Sequence, residues 1–432
     1  MPSEHSSDCT PPRKDPGPEY ADELLPSMAS ELNASPPPFS TQPLVLAIAL
    51  VLVALNLRPA LSSLAPVLPE VMRDTGISAT VASILTMSPV LCLGLFGFLA
   101  PRLASRFGPE RTVVGGLLLL TAGTALRGVP LFPVLLLGTL TAGAAIGIVG
   151  VLLPSLVKRD FPTRASLMTG VYTTALSAGA AVAAGFTVPL ANWLGAWPQA
   201  LAFWALPAFA AAIMWLPKTR TRQRENNHSR RYQAHGLWRD PLAWQVTLFM
   251  GLQSSLAYII FGWLAPILRD RGLEPVTAGF MVSVTLMVQL STTLTAPIIA
   301  GRRASQSGIA AGVVLLTMIG LSGILYAPLS TLWLWIVVLG LGQGASFAIS
   351  LALIVLRAKD THVAAHLSGM AQSVGYVLAS LGPLLVGLLH DYYGSWSPTG
   401  VLFIAICVLA MGFGFGAGRP MHVRATVSLQ GA

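Results

Sequence analysis

Leu64-Ala65-Pro66-Val67-Leu68 returns later in the chain as Leu264-Ala265-Pro266-Ile267-Leu268, and the Arg73-Asp74 behind the first copy returns as Arg269-Asp270 behind the second. Farther out, Leu156-Val157-Lys158-Arg159-Asp160 is matched by Leu356-Arg357-Ala358-Lys359-Asp360, Gly170 by Gly369 and Gly195 by Gly394. The offset is nearly constant and the order is kept. The chain therefore reads as two copies of one unit, laid out in the same direction.

Composition says what that unit is made of. Of 432 residues, 26 are Lys or Arg and 17 are Asp or Glu, so 10% are charged, against roughly 25% in soluble domains. Hydrophobic residues reach 54% and mean hydropathy is +0.69. So few charges cannot cover the surface of a soluble protein of this length, and the chain is expected to be a polytopic membrane protein. The net charge of +9 is spread between apolar runs rather than clustered on one face, which argues against nucleic-acid binding. Cys9, Cys92 and Cys407 are far apart, with no ligand spacing for a metal and no disulfide framework. No cofactor is expected.

A membrane helix needs about 20 apolar residues. Charge-free runs occupy 75–101, 112–126, 128–157, 165–217, 241–268, 275–301, 304–356, 361–390 and 392–418. The runs 165–217 and 304–356 are each long enough for two spans, with turns expected at Asn192-Trp193-Leu194-Gly195 and Tyr326-Ala327-Pro328-Leu329-Ser330. Adding a first span from Leu44 gives twelve helices, the third of them short. With both tails placed inside, 21 of the 26 basic residues fall on the cytoplasmic side, as the positive-inside rule requires. The expected fold is all-α: residues 1–43 a disordered cytoplasmic tail, 44–217 one six-helix half, 218–241 a basic linker, 242–418 a second half and 419–432 a tail. Parallel six-helix repeats joined in this way are the pattern of major facilitator transporters, with a substrate site at mid-membrane between two rocking halves.

Arg58 stands apart. It lies 14 residues past Leu44, roughly 21 Å along a helix rising 1.5 Å per residue, where insertion costs about 2.5–3.5 kcal/mol. No Asp or Glu accompanies it within a span. An unpaired guanidinium can hold an anion through two parallel hydrogen bonds. Pro59 follows directly and is expected to loosen the helix, freeing the Leu55 carbonyl, with Ser62 on the face of Arg58. The alternative is an architectural arginine bonded to loosened carbonyls. Arg127 is expected at the outer end of the third helix, as a cap or as positive potential over an outward cavity. Tyr172, Gln253, Tyr258, Trp263, Gln343, Gln372 and Tyr376 complete the candidate binding set, each with a helix–helix hydrogen bond as its competing role. His362 and His366, four apart near the cytoplasmic end, lack further ligands for a metal.

Several stretches resemble the cyanate/nitroimidazole transporter family of the major facilitator superfamily. They are Asn56-Leu57-Arg58-Pro59-Ala60 running to Pro69-Glu70, Leu153-Pro154-Ser155-Leu156-Val157-Lys158-Arg159, Gly251-Leu252-Gln253 with Trp263-Leu264, and Gly340-Leu341-Gly342-Gln343-Gly344. The resemblance implies secondary transport of small anions or small planar nitrogen compounds, with its helix-1 and helix-3 arginines carried to Arg58 and Arg127. The superfamily loop motif is partial: Arg102-Leu103-Ala104-Ser105-Arg106-Phe107-Gly108 has Ser105 where an Asp is usual. The leading expectation is a monomeric inner-membrane transporter of a small anion, with protons a candidate coupling ion. The alternative is an exporter of nitroimidazole-like or other small drug compounds. No intramembrane Asp pair, HExxH or phosphate-binding loop supports an enzyme or an ATP-driven pump.

Overall fold

The computed structural model of the protein describes residues 42–220, 232–359 and 361–429. Met1–Leu46 is one unit, of which only the opening of the first helix is described; Ala47–Ala432 is the other and carries everything below. The expected N-terminal tail, up to residue 41, and linker residues 221–231 lie outside the described residues.

The architecture is helical throughout. In chain order the helices are α1 (Gln42–Asn56), α2 (Pro59–Ser62), α3 (Leu64–Thr75), α4 (Ala79–Phe96), α5 (Ala100–Phe107), α6 (Pro109–Leu126), α7 (Phe132–Asp160) and α8 (Ala165–Leu194). They continue as α9 (Trp197–Phe203), α10 (Ala205–Trp215), α11 (Pro241–Asp270), α12 (Pro275–Gly301), α13 (Ser307–Tyr326), α14 (Leu332–Arg357), α15 (Thr361–Tyr393) and α16 (Ser397–Ala417). One short antiparallel pair, β1 (Tyr232–His235) with β2 (Thr426–Leu429), ties linker to C-terminal tail.

Eleven of these segments are long and apolar enough to cross a membrane, among the described residues. The shortfall from twelve is α6. It has 18 residues and opens on Pro109-Glu110-Arg111, so its apolar stretch is short, as the sequence already indicated for the third helix. Two expected turns are found where the sequence put them. Helix α8 ends at Leu194 with Gly195 in the left-handed region, φ +86°, and α13 ends at Tyr326.

Local chemistry sets the boundaries. Proline begins α2, α6, α11 and α12, where its fixed φ suits the first turn and its missing N–H costs nothing. Asp240 caps α11, its Oδ1 accepting from the Ala243 N–H at 2.9 Å.

The repeat is visible as matched contacts. Trp197 Nε1 donates to Asp74 and Trp396 Nε1 donates to Asp270, both at 2.9 Å. Gly195 and Gly394, at φ +86° and +62°, stop the helices just ahead of those two tryptophans. One end of the bundle carries these pairs; the opposite, basic end carries Arg102, Arg106, Lys158 and Arg302.

Helices from before and after residues 218–241 meet closely toward the Asp74/Asp270 end. Gly279 of α12 packs on the Ala184 carbonyl of α8, and Gly387 of α15 packs on Ser83 and Ala79 of α4. At the basic end Gly170 and Gly369 have open space around them. An ionic cluster there joins Arg159 to Glu110 at 2.6 Å and to Asp160 at 2.7 Å, with Lys218 3.7 Å from Asp160. Ser105 bonds only locally, to the Arg102 carbonyl at 2.9 Å.

Candidate functional site

The first span is broken where Arg58-Pro59 stands. Helix α1 ends at Asn56 and α2 restarts at Pro59, with Arg58 as its N-cap at φ −104°, ψ −24°. Proline removes the donor that the Leu55 carbonyl would have met. That carbonyl instead abuts Gly179 of α8, where a Cβ would collide with it. Gly179→Val is therefore expected to cost about 1–3 kcal/mol by overpacking, read as a lowered unfolding midpoint of the purified protein. An unchanged midpoint would show that α1 and α8 are not held in this contact.

Two side chains fasten the broken segment. Ser62 Oγ donates to the Ala180 carbonyl at 2.8 Å, and Arg127 Nη1 donates to the Ala60 carbonyl at 2.9 Å, with Ser63 Oγ 3.4 Å away. Of the two roles expected for Arg127, the structure has the cap. Its side chain is 0% exposed and turns inward instead of meeting solvent. It runs past Gly138 of α7, where a Cβ would stand 3.2 Å from Arg127 Cγ. Sequence counting could not find this, because a charge at a helix end has no direction until its neighbours are known.

Arg58 itself is half-buried. Its guanidinium carbon lies 5.8 Å from the Phe261 ring centroid, close enough for a cation–π attraction. Tyr258 and Tyr376 lie near enough for the Arg58 charge to act on their hydroxyls electrostatically. Tyr258 is 6.0 Å from Phe261 and 6.0 Å, edge-on, from Tyr376. Among the described residues no carboxylate pairs with Arg58. Beside this group is a small cavity of about 10 Å³ lined by Ala60, Leu64, Thr86, Thr139, Tyr258 and Phe261, among others. That is room for about one water, so a substrate enters only if the helices part.

The nine sequence candidates therefore divide. Arg58, Tyr258 and Tyr376 are brought together. Phe261 and Thr86 join them and were missed: Phe261 reads as one more apolar residue, and its orientation is set only by the packing of α11 against α2 and α3. Trp263 points elsewhere, donating to the Pro383 carbonyl at 3.0 Å and lying against Trp396. Gln253 bridges α11 to α14, its Nε2 donating to Ser254 at 2.8 Å and to Ser350 at 3.3 Å. Gln372 bonds Ser368 one turn back, at 2.7 Å. Tyr172 is buried in the apolar core, away from the cavity lining. Gln343 is buried with both amide atoms unpartnered, and Ser346 one turn on is the same. His362's side chain lies outside the described residues.

Trp263→Phe is expected to lose that hydrogen bond, worth about 1 kcal/mol, lowering the unfolding midpoint without altering the ranking of transported compounds. A changed ranking would return Trp263 to the substrate site.

The family model described as Major Facilitator Superfamily matches residues 44–383. The chain is 39% identical over 378 residues to the uncharacterized transporter YycB of Bacillus subtilis (strain 168), covering 87% of this chain and 93% of that one. It is 38% identical over 385 residues to the 2-nitroimidazole transporter of Escherichia coli (strain K12), covering 88% and 97%. To the cyanate transport protein CynX of the same organism it is 29% identical over 363 residues, covering 84% and 94%. In fold it is similar to a bacterial homolog of the human lysosomal transporter Spinster, with TM-score 0.72 at 15% identity over 90% of this chain and 98% of that one. The xylose transporter XylE from E. coli gives TM-score 0.71 at 12% identity, over 88% and 97%.

Proposed function

The chain belongs to the major facilitator superfamily, a multi-pass membrane transporter of small molecules rather than an enzyme, and from that membership we propose that it moves a small anion by alternating access, with Arg58 holding the anion. The observation that carries this reading is the placement of Arg58. It sits at a helix break, without a carboxylate partner among the described residues, near Tyr258, Tyr376 and Phe261. Broken helices at the midplane are where such transporters bind substrate, and a guanidinium without a counter-ion is complementary to a carboxylate-like or cyanate-like ion. The preferred substrate is small and planar, since the walls beside the charge are rings. Of the other candidates, Tyr172, Gln343 and Gln372 would reach substrate only after the helices rearrange.

We place both termini in the cytoplasm of a bacterial-type inner membrane, with α6 as the twelfth crossing. The basic end is then the inner end, and the close packing at the Asp74/Asp270 end is an outer seal. The working unit is a single chain, and protons are the proposed coupling ion.

A second reading is favoured by the aromatic wall and by the 38% identical relative. In it the cargo is a neutral nitroimidazole-like compound, its nitro group facing Arg58 and its ring against the tyrosines, moved outward. Flux into proteoliposomes across a panel of cyanate, small carboxylates, nitrate and nitroimidazoles separates the two. Saturable uptake of an anion, responsive to an imposed pH gradient, is expected. Transport of neutral nitroimidazoles with no anion competing would replace the anion reading with the second.

A further inference from the structure

Arg127 is a buried charge that the proposed site does not use. Its side chain is 0% exposed, and only Nη1 has partners, the Ala60 carbonyl and Ser63 Oγ. Among the described residues, Nε and Nη2 are buried without any hydrogen-bond partner. Those two nitrogens lie on the same side of the guanidinium and form the fork with which arginine grips a carboxylate or other planar anion. Among the described residues no Asp or Glu is in ion-pair distance. The C-terminal carbonyls of α6, which Arg127 caps, supply about half an opposite charge, and a water could meet the N–H groups. Neither balances a whole charge in a protein interior, where an isolated ion is costly unless paired.

We propose that the free Nε/Nη2 edge of Arg127 binds a small monovalent anion, at a site separate from Arg58. Nη1 ties that site to the break in the first span, two residues beyond Arg58, so occupancy of one bears on the geometry of the other. The ion is either a resident halide or the transported anion at a second station. Only the latter identity rests on the anion-transport reading above.

The test uses the full-length protein in nanodiscs, exchanged into gluconate and titrated with sodium chloride or with sodium formate while thermal unfolding is followed. Wild type, Arg58→Gln and Arg127→Lys are compared; lysine keeps a donor for the Ala60 carbonyl and loses the fork. Saturable stabilisation is expected in wild type and Arg58→Gln alike, with apparent affinity at least about tenfold weaker in Arg127→Lys. Saturation by chloride identifies a resident halide, and saturation by formate alone identifies a station for organic anions. Equal response in Arg127→Lys, no response in wild type, or loss of the response in Arg58→Gln would each overturn the proposal. If Arg127→Lys does not fold, anomalous scattering from bromide-soaked wild-type crystals decides. A bromide peak against Nε and Nη2 supports the site; its absence, together with no formate bound there in formate-soaked crystals, refutes it. Failure of Arg58→Gln to transport bears on the anion reading alone, so the two can fail separately.

Discussion

Arg58→Gln is expected to lower kcat/KM for the preferred anion by roughly 10- to 150-fold. A hydrogen bond to a charged group contributes about 1.5–3 kcal/mol, and every 1.4 kcal/mol is tenfold. Glutamine keeps a donor and comparable length but has no charge, and a neutral amide offers no bidentate fork. Arg58→Lys should lie between the two, because ammonium keeps the charge as a point and loses the planar geometry. The loss should fall mostly in KM if the anion is held equally through the cycle. Both variants should fold, since the break beside Arg58 is fastened by Ser62 and Arg127 rather than by Arg58 itself. Wild-type flux of the anion in Arg58→Gln would end the assignment. Undiminished flux of a nitroimidazole in the same variant would instead make Arg58 architectural.

The second large effect concerns the Asp74/Asp270 end. Arg269 of α11 makes a two-pronged ion pair with Glu70 of α3, Nη1–Oε2 at 2.7 Å and Nη2–Oε1 at 2.6 Å, and Nη1 also donates to the Pro66 carbonyl at 3.0 Å. Nearby, Asp391 of α15 accepts from the Ala79 and Thr80 N–H groups at 2.9 and 2.7 Å, capping α4 from the far side of the bundle. Both links join a helix before residue 217 to one after residue 241, so both must break if this end opens. The Glu70 and Arg269 side chains are 24% and 17% exposed. That puts the pair between exposed pairs, worth at most about 1 kcal/mol, and buried ones, whose disruption costs about 3–5.

Glu70→Gln should therefore shift the balance toward a form open at this end by about 1–3 kcal/mol, a 5- to 150-fold change in population. Spin labels at positions 73 and 274, distance-resolved by pulsed electron resonance, would report a new long-distance population in Glu70→Gln. The charge swap Glu70→Arg with Arg269→Glu should restore the wild-type distribution. Identical distributions in wild type and Glu70→Gln would remove the pair as a lock.

Much of this is legible in the amino-acid sequence. The first span's Arg58-Pro59 announced a helix break because proline cannot supply the N–H that the Leu55 carbonyl needs. The repeat was equally plain: Asp74 and Asp270 fall at matching places, and the structure gives them matching tryptophan partners, Trp197 and Trp396. Tyr258 and Tyr376 stand out in the sequence as polar aromatics in apolar runs, and they meet edge-on at 6.0 Å.

What the sequence by itself determined was the set of one-dimensional constraints: which stretches are apolar enough to leave water, where glycine and proline stop or break them, and that Arg58 stands within an apolar run. Those follow from transfer free energies and backbone sterics, which act residue by residue. Direction was decided only by the tertiary structure. Whether Trp263 faces the cavity or the Pro383 carbonyl, whether Gln253 meets substrate or Ser350, and whether Arg127 turns to solvent or into the bundle depend on how helices rotate and cross. Every face of such a helix is apolar, so hydrophobicity does not orient it. Close packing at Gly179, Gly138 and Gly279 does, and that packing involves residues distant in the chain.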